Sequence, residues 1–136
     1  MTDALSFLYV EDDKPSQMVM EIMITRVLGY EDFTVFEDSS DFINRVRGLA
    51  KIPDIFFLDI EISPIDGYEM IKALQADPTY QSSKIIAMTA NVMLSDVDRL
   101  KETGFDGLIG KPLIKDLFPD LVIRILDDES VWFVPE

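Results

Sequence analysis

The stretch FFLDIEISPIDGYE, residues 56–69, decides the fold of this chain. Its apolar start ends at Asp59, a second acid follows at Glu61, and Asp66 and Gly67 then open a helical pattern. A short apolar run bounded by polar residues is typical of a strand that is buried on both faces of a parallel sheet. Because a buried charge is costly unless it is paired, a carboxylate at the end of such a strand calls for a chemical explanation.

Four other short runs predict strands at residues 5–10, 33–36, 85–88 and 107–109, in addition to the run at 55–58. Helical patterns lie between the runs, with Gly29 and Gly104 as stop signals. Three of the predicted helices cover residues 16–28, 67–77 and roughly 114–126. Another is capped by Asp38, Ser39 or Ser40 and ends near residue 48, and a further one is capped by Asn91 and ends at residue 104. Alternating β and α units predict an α/β fold with a doubly wound, five-stranded parallel sheet.

Composition limits the classes of function. The chain has 136 residues, 48% of them hydrophobic, and a formal charge of −14, which indicates one globular unit with no affinity for nucleic acid or anionic lipid. It has no cysteine and no histidine, so thiolate chemistry and histidine-ligated zinc are excluded. No apolar stretch approaches the ~20 residues of a membrane span, and the N-terminal run is too short for a signal peptide. We therefore expect a cytoplasmic protein.

The carboxyl ends of the predicted strands carry the chemically active side chains. In an open α/β sheet the ligand crevice lies at these ends, so Glu11, Asp12, Asp59, Thr89 and Lys111 are expected to converge there. Carboxylates brought this close repel one another by a few kcal/mol per pair at an effective dielectric of about 20. A divalent cation relieves that repulsion, and Mg²⁺ suits a site with few protein carboxylates and several waters.

Asp59 is the natural nucleophile of such a site. A carboxylate fixed at a strand end can attack phosphorus and form an aspartyl-phosphate. Lys111 then supplies an ammonium group for the phosphoryl oxygens, and Thr89 supplies a hydroxyl donor. Taken alone, each residue has a simpler explanation. Glu11 and Asp12 could be acids at the start of a helix, Thr89 could be a helix cap, and Lys111 could be a solvated surface charge. Their predicted convergence favours phosphoryl chemistry.

Four motifs, YVEDD (9–13), FFLDIEISPIDGYE (56–69), MTAN (88–91) and GLIGKP (107–112), resemble those of the response-regulator receiver domain of two-component signalling. The resemblance covers nearly the whole chain and implies a flavodoxin-like (βα)5 fold. It implies site roles as follows: Asp59 as phosphoacceptor, Asp12 as direct metal ligand, Glu11 as the acid that orients metal-bound water, the carbonyl of Glu61 as third protein ligand, Thr89 as switch hydroxyl and Lys111 as phosphoryl partner. It also implies a cis bond between Lys111 and Pro112.

The same resemblance implies partners and a mode of action. The phosphodonor would be a phosphohistidine on a sensor histidine kinase or a histidine phosphotransfer protein. We expect a stand-alone receiver domain over residues 1–126 that signals by protein contact, with a tail at 127–136 that acts as a packing strap or a dimer arm. Homodimerisation through the last two helices or the tail is a hypothesis. Catalysis beyond the domain's own phosphotransfer and autodephosphorylation is not expected.

Three positions depart from the family pattern or extend it. Leu108 and Leu113 stand where the family usually has aromatic residues, which puts the usual coupling of the site to an output surface in doubt. Glu61 adds a negative side chain near the phosphoryl position, and we hypothesise that it sets the dephosphorylation rate together with Asn91.

The first helix is apolar almost all round, so some of its side chains are expected to be exposed. Polar substitution of Met20 and Ile24 would test whether this surface docks on a partner's helices or is buried by a neighbouring helix or a second subunit.

Two alternatives to a phosphorylated receiver remain at this stage. One is a degenerate receiver that binds partners without phosphorylation, which Leu108 favours and the complete set of charged site residues disfavours. The other is a phosphatase, because Asp59, Glu61 and Ser63 faintly resemble the nucleophile loop of haloacid-dehalogenase-type enzymes. In those enzymes the second acidic cluster follows the nucleophile along the chain, whereas here Glu11 and Asp12 precede it.

Overall fold

The computed structural model describes residues 5–90 and 94–135, which form one parallel sheet covered by helices on both faces. The strands lie in the order β2-β1-β3-β4-β5-β6, and every adjacent pair is parallel. Their bounds are β1 Ser6–Val10, β2 Asp32–Phe36, β3 Ile55–Asp59, β4 Lys84–Thr89, β5 Gly107–Gly110 and β6 Val131–Phe133. The five predicted strands are confirmed, and the sheet gains a sixth.

Helices connect successive strands. Their bounds are α1 Lys14–Glu21, which continues as a π-helical segment Ile22–Val27, α2 Phe42–Arg47, α3 Gly67–Gln75, α4 Leu94–Thr103 and α5 Phe118–Leu126, with a 3₁₀ turn at Pro78–Tyr80. One hydrophobic cluster packs α2, α3 and α4 on the sheet, and a second packs α1 and α5 on the opposite face. The predicted doubly wound α/β architecture is therefore confirmed.

Three helix starts differ from the prediction, and the first is that of α1, which begins at Lys14 rather than at residue 16. The N-cap of α2 is Asp41, and the predicted candidate Ser39 is instead buried, where its hydroxyl donates to the carbonyl of Ile65 and accepts from the Ile65 N–H. The last helix begins at Phe118 rather than near residue 114. Pro119 lies in its first turn, the part of a helix in which a missing N–H is harmless. The predicted cap Asn91 lies outside the described residues.

The first helix buries one side and exposes the other, as its composition requires. Met20 and Ile24 are completely buried against the sheet, so their selection as surface positions was wrong. The exposed apolar side chains are Met18, Ile22 and Val27. Met20 and Ile24 are four positions apart, and so are Met18 and Ile22, which places each pair on one side of the helix.

The C-terminal segment adds a strand to the outer edge of β5. Val131 is buried, and Trp132 lies in register with Leu108. Gly107 permits this close approach, because a Cβ at that position would lie 2.5 Å from the carbonyl oxygen of Val131. In the described part of the chain, no helix is long and apolar enough to cross a membrane.

Candidate functional site

The carboxyl ends of β1 and β3 bring three acids together. Glu11 and Asp12 directly follow β1, and Asp59 is the last residue of the neighbouring β3. One carboxylate oxygen from each of these residues lies within 4.8 Å of the other two. Glu11 and Asp59 are buried, whereas Asp12 is exposed at the mouth of the cleft. The predicted convergence of these three residues is therefore present in the structure.

The Glu11 carboxylate is fixed by three donors. Its Oε1 accepts from the Tyr9 hydroxyl at 2.7 Å and from the Lys111 ammonium at 2.8 Å, and its Oε2 accepts from the N–H of Asp13 at 3.2 Å. Burial opposes ionisation of Glu11, but the hydrogen bonds from Lys111 and Tyr9 outweigh it and lower the pKa of the carboxyl. The pKa shift thus favours the ionised form of Glu11, and the three hydrogen bonds fix its orientation.

Asp59 has a less favourable environment. Its Oδ1 accepts from the N–H of Glu61 at 3.2 Å, and its Oδ2 lies 3.6 Å from the Lys111 ammonium. Burial and the negative charge of Glu11 raise its pKa to about 6, against the partial compensation from Lys111. Any further positive charge near Asp59 would therefore stabilise its ionised form.

Lys111 joins the two buried acids. Burial alone would lower the pKa of its ammonium, but the hydrogen bond to Glu11 and the negative charge of Asp59 raise it. Its position follows from β5, because its N–H donates to the carbonyl of Thr89 at 2.8 Å, directly after that strand ends. The bond between Lys111 and Pro112 is cis, as the resemblance implied, and so is the bond between Ser63 and Pro64.

Thr89 and Glu61 lie beside this group. Thr89 is buried at the end of β4, and its Oγ1 lies 3.5 Å from Oε1 of Glu61. The exposed Glu61 lines the same open cleft as Glu11, Asp12, Asp59 and Lys111. The role of the Glu61 carbonyl as a metal ligand and that of the Thr89 hydroxyl as a switch stay predictions. The joint effect of Glu61 and Asn91 on the dephosphorylation rate also stays a prediction, and Asn91 lies outside the described residues.

The donor set fits a hard divalent cation. Three carboxylate oxygens close together suit Mg²⁺, which prefers oxygen ligands and usually retains several waters. The exposed position of Asp12 leaves one side of the group open to water and to a phosphoryl oxygen. The neighbouring Asp13 is used differently, since its carboxylate caps α1 by accepting from the N–H and hydroxyl of Ser16.

Sequence reasoning missed Tyr9 as a site residue. It was grouped with the apolar run of the first strand, and its ring is indeed completely buried. Its hydroxyl nevertheless reaches Glu11, because residues two apart on a strand point to the same face of the sheet. A tyrosine two positions before a buried acid was the signal available in the sequence.

A parallel α/β sheet with an acidic trio and a lysine at its carboxyl edge defines the receiver class of signalling proteins. The family model described as "Response regulator receiver domain" matches residues 7–122. The chain therefore belongs to the response-regulator receiver domain family.

Individual relatives agree with this membership. The polar-differentiation response regulator DivK of Brucella anthropi is 30% identical over 123 residues, covering 90% of this chain and 97% of that protein. The stress response regulator protein 1 of Candida tropicalis is 27% identical over 122 residues, again covering 90% of this chain but 45% of the longer relative. The high-resolution structure of the chemotaxis response regulator CheY4 of Vibrio cholerae is similar in fold, with a TM-score of 0.76. The two chains are 20% identical, and the match covers 89% of this chain and 98% of that one.

Proposed function

We propose that the chain accepts a phosphoryl group on Asp59 from a phosphohistidine and thereby changes its protein contacts. The observation that carries this proposal is the meeting of Asp59 with Glu11, Asp12 and Lys111 in one cleft. In the transfer, an Asp59 oxygen forms a bond to phosphorus while the bond between phosphorus and the histidine nitrogen breaks. The electron pair stays on that nitrogen, which then takes a proton from solvent.

The chain's own residues orient and neutralise the reacting group. The N–H of Glu61 holds Oδ1 of Asp59, which fixes the carboxylate relative to β3. The Lys111 ammonium, 3.6 Å from Asp59, would meet a phosphoryl oxygen, and the Thr89 hydroxyl at the end of β4 would donate to another.

Mg²⁺ belongs to this proposal as cofactor. Receiver domains bind it at an acidic pocket, and Asp12, Asp59 and the carbonyl of Glu61 would hold it here, with Glu11 orienting its water. Bound there, it would neutralise charge on the phosphoryl oxygens.

Receiver domains interact with histidine kinases or phosphotransfer proteins, and one surface of this chain supports such a partner. Met18 is 63% exposed and Ile22 is 41% exposed on the first helix, which begins directly after the acidic motif. A shallow apolar depression lies between this helix and the loop after β5, lined by Pro15, Val19, Pro112 and Leu113. We infer that helices of the phosphodonor pack on this surface beside Asp59.

The test is intact-mass measurement after incubation with Mg²⁺ and acetyl phosphate. The wild type should gain one acid-stable, base-labile phosphoryl group, Asp59→Asn should gain none, and the distant control Asp106→Asn should behave as the wild type. An unmodified wild type, together with binding of a partner by the unmodified chain, would support the phosphorylation-independent interaction module instead. Multiple-turnover release of phosphate from small phosphomonoesters would contradict the proposal that the chain is not an enzyme and would favour the phosphatase.

A further inference from the structure

The hydroxyl of Tyr9 is a buried donor to Glu11, one of the three acids that could hold Mg²⁺. It donates to Oε1 of Glu11 at 2.7 Å, and the tyrosine side chain is completely buried. Tyr9 lies on β1, which is paired on one side with β2 and on the other with β3. Neighbouring strands therefore hold its backbone on both sides.

Aromatic packing also fixes the ring. Tyr9 meets Phe57 edge-on at a centroid distance of 6.3 Å, and Phe57 in turn lies 6.0 Å from Phe118 of α5. A side chain held in this way loses little further freedom when it forms a hydrogen bond. The hydroxyl is thus a preorganised donor.

Oε1 of Glu11 is shared between two donors that differ in mobility. Tyr9 is immobilised by packing, whereas the Lys111 ammonium stands at the end of a flexible chain and lies 2.8 Å from Glu11 and 3.6 Å from Asp59. Were Lys111 to turn toward a phosphoryl group on Asp59, as the proposed function requires, Glu11 would lose one of these two donors and would keep the other, Tyr9.

We propose that Tyr9 is a positioning residue that keeps the Glu11 carboxylate aimed at the Mg²⁺ site, both while Lys111 is bound to Glu11 and when Lys111 leaves it for the phosphoryl group. This inference rests on the proposed function. Groups that orient a metal's surroundings commonly change metal affinity by about 10- to 100-fold when they are removed.

The first measurement is Mg²⁺ binding by calorimetry in the absence of any phosphodonor. Tyr9→Phe removes only the hydroxyl and should raise the Mg²⁺ dissociation constant by about 10-fold. The matched control is Tyr80→Phe, which alters another buried tyrosine near the amino end of β4 and should leave the constant unchanged. Equal Mg²⁺ affinities for Tyr9→Phe and the wild type would overturn the inference.

A double-mutant cycle tests whether Tyr9 acts through Glu11. Glu11→Asp keeps the charge but shortens the side chain by one methylene, which withdraws the carboxylate from the Tyr9 hydroxyl. Tyr9→Phe should then have little further effect on Mg²⁺ affinity. An equal loss of affinity in both backgrounds would mean that Tyr9 acts through packing, and the positioning role would be rejected.

Phosphorylation by acetyl phosphate supplies a second readout. Tyr9→Phe should require about 10-fold more Mg²⁺ for half-maximal rate, with a maximal rate close to that of the wild type. A lower maximal rate with an unchanged Mg²⁺ requirement would contradict the inference while leaving the proposed function intact. A wild type that binds no Mg²⁺ and accepts no phosphoryl group would refute both.

Discussion

The two ends of the sheet use the same residue type in opposite ways. At the amino end, Asp54 precedes β3 and Asp106 precedes β5, and each carboxylate accepts a hydrogen bond of 2.8 Å from the first part of the adjacent strand. The donors are the backbone N–H groups of Ser6 and Ile85. At the carboxyl end, Glu11 and Asp59 are buried beside each other and share Lys111.

The contrast shows that the groups around a carboxylate distinguish a structural acid from a functional one. Asp54 and Asp106 complete the hydrogen-bonding pattern where two strands begin, and their own N–H groups donate back to the carbonyls of Ser6 and Ile85. Asp59 instead lies close to another anion, and its pKa rises as a result of burial and that charge. Carboxylates with a pKa perturbed by burial and a neighbouring charge are typical of functional sites.

Neutralising Asp59 should produce the largest change in stability. Its pKa is raised from the ordinary value of 3.8 to about 6 in the metal-free fold, and one pKa unit corresponds to about 1.4 kcal/mol. The folded state therefore binds more protons than the unfolded state between these values, and stability falls as the pH rises from about 4 to about 6. Asp59→Asn should increase the free energy of unfolding by about 3 kcal/mol at pH 7.5.

Urea unfolding in the presence of a chelator, at a series of pH values, measures this effect. The difference between Asp59→Asn and the wild type should shrink toward zero as the pH falls below the ordinary pKa of 3.8, where the wild-type carboxyl is protonated in both states. Asp106→Asn, which changes an acid at the other end of the sheet and keeps an acceptor, serves as control. A destabilised Asp59→Asn protein at pH 7.5 would show that the carboxyl end is not under electrostatic repulsion.

The carboxyl end was also the more predictable of the two. Asp59, Glu11 and Lys111 each follow an apolar run, and the rule that parallel strands present their carboxyl ends at one edge brings them together without any knowledge of contacts. The role of Tyr9 was not predicted, because an aromatic residue in an apolar run is usually part of the core. Whether its hydroxyl also forms a hydrogen bond depends on the exact side-chain geometry.

The last strand could not be predicted for a different reason. Residues 131–133 are apolar and belong to the segment predicted to act as a packing strap or a dimer arm, but a three-residue run is too short to distinguish a strand from a strap by periodicity. What decides the pairing is the long-range fit to β5, where the glycine at 107 leaves room for the carbonyl of Val131. Tertiary contacts of that kind leave no local sequence pattern.

Filling the space between Gly107 and the carbonyl of Val131 should have the next largest effect on stability. This substitution tests the amino end of the sheet. In Gly107→Ala the new Cβ would lie 2.5 Å from the Val131 oxygen, so β6 must shift away from β5. We expect a loss of about 2 kcal/mol in the free energy of unfolding. Fluorescence of Trp132, the only tryptophan in the chain, should change because its contacts with the core and with the Lys101 ammonium at 5.1 Å depend on that pairing.

Gly48→Ala is the matched control for this substitution. The nearest atom to its new Cβ is the Arg45 carbonyl oxygen at 3.5 Å, an ordinary contact, so stability should change by less than about 0.5 kcal/mol. Equal stability of Gly107→Ala and Gly48→Ala, with unaltered Trp132 emission, would mean that the sixth strand is not held against β5 in solution.

The smallest expected effect concerns the structural acid Asp106. Asp106→Ala removes the acceptor for the Ile85 N–H and should lower the free energy of unfolding by about 1 kcal/mol, a modest loss because the carboxylate is exposed and water can replace it in part. Asp106→Asn retains an oxygen acceptor and should lose less than half as much, as measured by urea unfolding at pH 7.5. Both variants should bind Mg²⁺ like the wild type, since the substitution lies at the end of the sheet opposite to Asp59. If Asp106→Ala weakened Mg²⁺ binding, the two ends of the sheet would be energetically coupled, and the division between structural and functional acids would not hold.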